Sequence, residues 1–161
     1  MADAKIVMNM TGTTPAAWND PVKGAELAKA QKAQGADVIY AAAGGTGIGV
    51  LQAAADEGIM SIGVDKNQNP LHPGSVLTSM LKRVDVAVFD AFTAGDALET
   101  GKVRVMNLAD DGVGYAMDEN NAALVSPEMK AAVDAAAEKI KSGELVVHDY
   151  VSDNTCPAAT F

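Results

Sequence analysis

Apolar positions along the chain fall into short unbroken runs and longer stretches of three-to-four spacing, divided by glycine, proline and small polar residues. The first run, residues 5–10 (KIVMNM), predicts a strand. A loop over 11–19 follows, punctuated by Gly12 and Pro15. Asn19 or Asp20 can cap a helix whose first residue is Pro21, a position where the missing amide is harmless. Val22, Leu27 and Ala30 give that helix an apolar face, and Gly35 suits its end. Residues 37–42 (DVIYAA) read as a buried strand and Gly44-Gly45-Thr46-Gly47 as a tight loop. A helix is expected over about 48–57, closed by Gly58, then a strand over 59–64 that ends at Asp65. A polar loop over 66–74 leads to a short strand over 75–79 and a helix over about 84–98. Residues 103–108 predict another strand, and Ser126-Pro127-Glu128 opens a last helix that ends near Gly143. Residues 145–151 read as a final strand, and 152–161 as a loose tail.

Strands and helices alternating at this spacing predict an α/β fold built on a doubly wound parallel sheet. One lobe over residues 1–151 followed by a tail over 152–161 accounts for the chain, with no internal repeat or low-complexity linker. In such sheets ligands bind beyond the carboxyl ends of the strands. Chemistry is therefore expected at residues 11–20, 44–47 and 65–68, and at Lys82.

Four features at those positions invite a functional reading. Gly44 and Gly45 stand between a strand and a helix, where backbone amides can approach a ligand oxygen. The segment Gly44-Gly45-Thr46-Gly47-Ile48-Gly49 does not fit G-x-G-x-x-G, because Val50 or Gln52 stands where the third glycine belongs, and no Gly-Lys-Ser/Thr follows. A neutral polar ligand or a plain tight turn both remain open. Asp65 can accept hydrogen bonds from two adjacent hydroxyls, as a sugar presents them, or open an Asx turn. Lys82, just beyond the strand over 75–79, can pair with Asp65 and donate to the same sugar, or simply make a charged helix start with Arg83. Trp18, the sole tryptophan, can offer a flat face to a heterocycle or staple the helix beneath it.

Composition narrows the partners. A net charge of -9 argues against nucleic acid, which needs Lys and Arg to neutralise phosphates, and against an anionic membrane surface. The single cysteine, Cys156, cannot make an intramolecular disulfide or a cysteine zinc site. Neither His72 nor His148 has a nucleophile at a recognisable spacing, and Gly-x-Ser-x-Gly is absent, so the enzyme signatures are poor and no cofactor or metal is expected. The start of the chain lacks a signal peptide's basic and apolar regions, which implies a cytoplasmic protein if Met1 is native, or a sequence that begins after its targeting segment.

Four segments in order resemble one family. They are Trp18-Asn19-Asp20-Pro21-Val22-Lys23-Gly24; Gly35-Ala36-Asp37-Val38-Ile39 leading to Gly44-Gly45-Thr46-Gly47; Ile62-Gly63-Val64-Asp65 followed by Gln68; and Pro73-Gly74-Ser75-Val76-Leu77-Thr78-Ser79 leading to Lys82-Arg83-Val84-Asp85. Together with Gly112-Val113-Gly114-Tyr115 and the last helix, they are similar to the basic-membrane-protein lipoproteins, the purine nucleoside receptor-like substrate-binding proteins of ABC transporters. The resemblance covers residues 5–147 and most of the second lobe of a two-lobed type I periplasmic-binding-protein fold, Rossmann-like but incomplete relative to the family. It implies that Trp18 stacks on a purine, that Gly44 and Gly45 contact the ligand, and that Asp65 and Lys82 hold the ribose hydroxyls. It further implies non-catalytic binding of a purine nucleoside, an ABC permease as partner and a place in the periplasm or cell envelope. The absent first lobe, and the opening strand and helix missing from the second, leave apolar surface that a second copy can cover, so a homo-oligomer is expected. The alternatives are a Rossmann-like enzyme acting on a nucleotide or sugar, and a self-associating structural module with a vestigial pocket.

Overall fold

Parallel strands need crossovers, and the first of these sets the geometry of the molecule, whose computed structural model describes residues 4–155. Residues 1–3 and 156–161, Met1 and Cys156 among them, lie outside the described residues, while Ser152 and Asp153 of the expected loose tail form part of a helical turn. Strand β1 (Val38–Tyr40) passes through helix α2 (Thr46–Asp56) into β2 (Met60–Gly63), which pairs with it in parallel, Ile39 opposite Ser61. The polar loop with its short 3-10 turn then leads to β3 (Val76–Lys82), parallel to β2 with a register irregularity between Ser61 and Ile62. Strand β4 (Val113–Tyr115) closes the far edge antiparallel to β3, so the sheet has the order β1-β2-β3-β4.

Helix α1 (Pro21–Ala33) starts as its sequence predicts. Of the two candidate caps, Asp20 takes the role, its carboxylate accepting from the Lys23 N–H at 2.9 Å. α1 packs on α2 at very short range, because glycines remove the side chains between them. A Cβ at Gly49 would fall 1.8 Å from the Pro21 carbonyl oxygen, and one at Gly24 would fall 2.3 Å from that of Thr46. Ala28, Ile39, Ala41, Val50 and Ala53 make the small core beneath this contact, and Leu51 and Val76 are fully buried near it. With so few aromatics, the core is built from small side chains at close approach rather than from large ones.

Three expected strands do not form. Residues 5–10 join no strand among the described residues, and only the Asn9 side chain is held, accepting from Gln31 Nε2 at 3.0 Å. A cavity of about 730 Å³ separates them from the outer edge of β1, and Ile6, Met8 and Met10 face solvent. Residues 103–108 are irregular, with Val103 92% exposed, and residues 145–149 are irregular too, leading into the single turn α5 (Tyr150–Asp153). In each case the run is apolar and β-branched, yet no neighbouring strand satisfies its backbone groups. The remaining helices are α3 (Val84–Ala94), extended by a 3-10 turn over Gly95–Ala97, and α4 (Pro127–Ser142). α4 is capped by Ser126, whose hydroxyl accepts from the Met129 N–H, and ends at Gly143 in the left-handed conformation, as its sequence predicts. It is tied to the sheet by the Tyr115 hydroxyl, which donates to Asp134 Oδ1 at 2.7 Å.

Candidate functional site

The carboxyl ends of β1, β2 and β3 surround one cleft of about 540 Å³, lined by Gly44, Gly45, Ile48, Val64, Asp65, Lys66, Gln68, Lys82, Val84 and Asp85. Four of the five residues singled out from the sequence line it: Gly44, Gly45, Asp65 and Lys82. The larger cavity beside β1 has no charged residue in its lining, whereas carboxylates and ammonium groups converge on the smaller one. Convergent polar groups make the smaller cleft the better candidate.

Asp65 and Lys82 form an ion pair, Nζ to Oδ1 at 2.9 Å, and the Lys82 N–H donates to the Asp65 carbonyl at 2.8 Å. Lys82 is therefore the last residue of β3, not a residue beyond it, because Met80–Lys82 pairs with Val113–Tyr115. Asp65 adopts φ 70, in the left-handed region, at the centre of a tight turn in which the Lys66 N–H donates to the Val64 carbonyl. A non-glycine residue in that region stores local strain and turns its side chain out of the strand line. Both side chains of the pair are roughly half exposed, so the bridge contributes little stability. Its value is geometric: the carboxylate keeps lone pairs free for two more hydrogens, and the ammonium keeps two more protons to donate.

Arg83 takes a separate course. Its guanidinium turns to Asp85 and Asp111, and its hydrogen bond is the chief cause holding the Asp85 carboxyl below its ordinary range. Asp85 lines the cleft but is already engaged.

Gly44 and Gly45 close the opposite wall. The amides of Thr46, Gly47 and Ile48 bond back to Ala43, Gly44 and Gly45. The N–H groups of Gly44 and Gly45 themselves make no hydrogen bond among the described residues. Gly44 sits at φ 54, and a Cβ there would press on Trp18, 3.4 Å from its ring carbon Cε3. Trp18 thus stands behind Gly44 and lines the larger cavity beside β1 rather than this cleft, with 61% of its surface exposed. Thr46 fixes this arrangement, donating from Oγ1 to the Ala17 carbonyl and accepting from the Asp20 N–H, each at 2.7 Å.

Beneath the Asp65 turn lies a polar network of which the sequence marks only the segment 65–68. Gln68 accepts the Val64 N–H, the Gln68 N–H donates to Ser79 Oγ, and Ser79 donates to Asn69. Asn67 and Asn69 both donate to Asp118, whose carboxyl is held below its ordinary range chiefly by the Asn67 hydrogen bond. Asn121, fully buried, closes the network through the carbonyls of Leu77 and Ala116. The signal was present as two clusters of amides, Asn67-Gln68-Asn69 and Asp118 with Asn120-Asn121, but each reads locally as a solvated loop.

A mainly parallel α/β lobe with a polar cleft at its strand ends is the architecture of a small-molecule binding lobe. The chain belongs to the Bmp family, described as ABC transporter substrate-binding protein PnrA-like, which matches residues 2–150. It is 34% identical over 124 residues to basic membrane protein D of Borreliella burgdorferi, covering 74% of this chain and 35% of that protein. The CD4+ T-cell-stimulating antigen of Listeria monocytogenes is 34% identical over 146 residues, which is 78% of this chain and 39% of the relative. Among solved structures, the solute-binding protein of an ABC transporter system from Aeropyrum pernix K1 superposes with a TM-score of 0.69 at 26% identity. That superposition covers 88% of this chain and 48% of the other. A transcriptional activator of the comK gene from Bacillus halodurans shares the fold with a TM-score of 0.72 at 24% identity, over 81% of this chain and 46% of its own. The chain thus spans less than half the length of these relatives.

Proposed function

We propose that this chain is the nucleoside-binding lobe of an ABC-transporter substrate-binding protein, holding its ligand without catalysis. The observation that carries the reading is the Asp65–Lys82 pair, set 2.9 Å apart at the strand ends opposite Gly44 and Gly45. A vicinal diol can donate both hydroxyl protons to the Asp65 carboxylate while Lys82 donates to a hydroxyl oxygen. Trp18, exposed behind Gly44 in the wall of the neighbouring cavity, supplies a flat face for a purine, and the Gly44 and Gly45 amides supply neutral donors. A net charge of -9 disfavours a phosphate on the ligand. Family membership supports an ABC permease as its partner and a place at the cell envelope. Helix α3, with Phe89 and Phe92 mostly exposed and none of its residues buried, is the surface we assign to self-association.

The test is a thermal-shift screen of nucleosides, free bases, 5′-monophosphates, NAD and sugars, followed by calorimetry of whatever stabilises the fold. A purine nucleoside is expected to bind more tightly than its base and its monophosphate. A monophosphate that binds more tightly than the nucleoside contradicts the reading.

A further inference from the structure

The Gln68 side chain is folded back under the turn it follows. Its Oε1 accepts the Val64 N–H at 2.8 Å, and the Gln68 backbone N–H donates to Ser79 Oγ at 2.9 Å. This packing requires a glycine in the strand above, since a Cβ at Gly63 would lie 2.7 Å from Gln68 Oε1. The amide orientation is fixed by chemistry: only the oxygen of a carboxamide can accept from a backbone N–H, so Nε2 is the other end. That Nε2 donates to nothing among the described residues. Gln68 is 7% exposed, and Ser61 Oγ alone among the described side-chain N and O atoms is both sealed from solvent and partnerless. The Gln68 amide is therefore not walled in. Gln68 lines the cleft with Asp65 and Lys82.

Gln68 is nine-tenths buried as a residue, and its NH₂ group, still reachable by solvent, has no protein acceptor among the described residues, so its protons are open to an acceptor brought by a ligand. The diol chemistry of the cleft supplies such an acceptor. Each hydroxyl that donates its proton to Asp65 keeps lone pairs that need donors of their own. Lys82 can serve one hydroxyl, and the other is left without a donor from that pair. We propose that Gln68 is a ligand-binding residue, its Nε2 donating to the second hydroxyl of a vicinal diol whose protons go to Asp65. The cleft then reads the diol as two donors and two acceptors at once, which selects a cis-diol sugar over a monodeoxy one. This rests on the nucleoside reading above and adds to it a named third polar contact.

The experiment measures coupling between the side chain and one hydroxyl. Inosine, 2′-deoxyinosine and 3′-deoxyinosine are titrated calorimetrically into the wild-type protein and into Gln68→Glu, which keeps an oxygen for the Val64 N–H but removes the donor. Gln68→Met, which removes the amide without adding charge, is titrated in parallel. Inosine is expected to bind each variant about tenfold more weakly than wild type, the value of one hydrogen bond to a buried donor. For one of the two deoxynucleosides the same substitution is expected to change affinity less than about twofold, because the hydroxyl it served is gone. Equal losses for all three ligands, or none for inosine, overturn the proposal. Should neither variant fold, the side-chain amide resonances of Gln68 in ¹⁵N-labelled wild-type protein decide: they are expected to shift and to exchange more slowly with saturating inosine, and unchanged resonances overturn the proposal. A wild-type protein that binds no nucleoside removes the parent reading and this one together.

Discussion

Replacing Gly49 by alanine is the sharpest structural perturbation available. A methyl group at that position would meet Pro21 O at 1.8 Å, Pro21 C at 2.6 Å and Pro21 Cα at 2.8 Å. All three are backbone atoms, so no side chain can swing aside, and the start of α1 must retreat from α2 by more than an ångström. Alanine favours a helix by about 1 kcal/mol over glycine, while overpacking at a rigid contact costs about 3 kcal/mol. The net expectation is a loss of about 2 kcal/mol, which for a chain of this size lowers the melting temperature by about 4–8 °C. The displacement also reaches the site, because Thr46 at the start of α2 bridges the Ala17 carbonyl and the Asp20 N–H and so sets Trp18 against Gly44. Differential scanning calorimetry is the assay. Gly114→Ala, where nothing lies within 4 Å, is the control, and its stability is expected within about 0.5 kcal/mol of wild type. A Gly49→Ala protein that melts with the wild type would refute the close α1–α2 packing and the positioning of Trp18 built on it.

Trp18→Ala is expected to weaken nucleoside binding by about 1–3 kcal/mol through lost stacking, read by calorimetry, with the fold intact. Ser126→Ala should cost about 1 kcal/mol of stability in denaturant melts, because the Met129 N–H loses its acceptor. Asp118 and Asp134 have folded-state pKa values below the ordinary aspartate value, chiefly through the hydrogen bonds of Asn67 and Lys130 respectively. The stability they contribute is fully present above about pH 4 and is lost as pH falls through their lower folded values. Asp118→Asn should therefore flatten the fall in melting temperature between about pH 5 and 3, and an unchanged slope would contradict the assignment. At micromolar concentration the chain should sediment as a dimer or larger species, since α3 buries none of its residues; a single cooperative monomer of 16.5 kDa would contradict self-association.

Much of this architecture was legible because it is written locally. Asp20 before Pro21, Ser126 before Pro127 and Gly143 after a charged last turn are start and stop signals that work on their own neighbours. The strand over 37–42 and that over 59–64 were legible because α2 between them makes the crossover adjacent in sequence. What depended on distant partners was not. β4 and the full length of β3 arise from pairing Met80–Lys82 with a segment about thirty residues further on, and no local pattern announces it. Conversely, the apolar runs over 5–10, 103–108 and 145–151 have strand composition but no neighbour to pair with. Strand propensity reports fit to a sheet, not the presence of one. At the site, Asp65, Lys82, Gly44 and Gly45 were found from strand ends alone, whereas Gln68 and Asp118 gain their roles from hydrogen bonds across the fold.

The account turns on Asp65. Calorimetric titration of a purine nucleoside into the wild-type protein and into Asp65→Ala tests it most directly. Charge-assisted hydrogen bonds are worth about 1.5–3 kcal/mol each and do not add fully, so two of them predict a loss of about 2–4 kcal/mol, roughly 30- to 700-fold in the dissociation constant. The predicted result is measurable binding to the wild type and a loss of that size in a variant that melts normally. An unchanged dissociation constant in folded Asp65→Ala would place the ligand elsewhere and contradict the account.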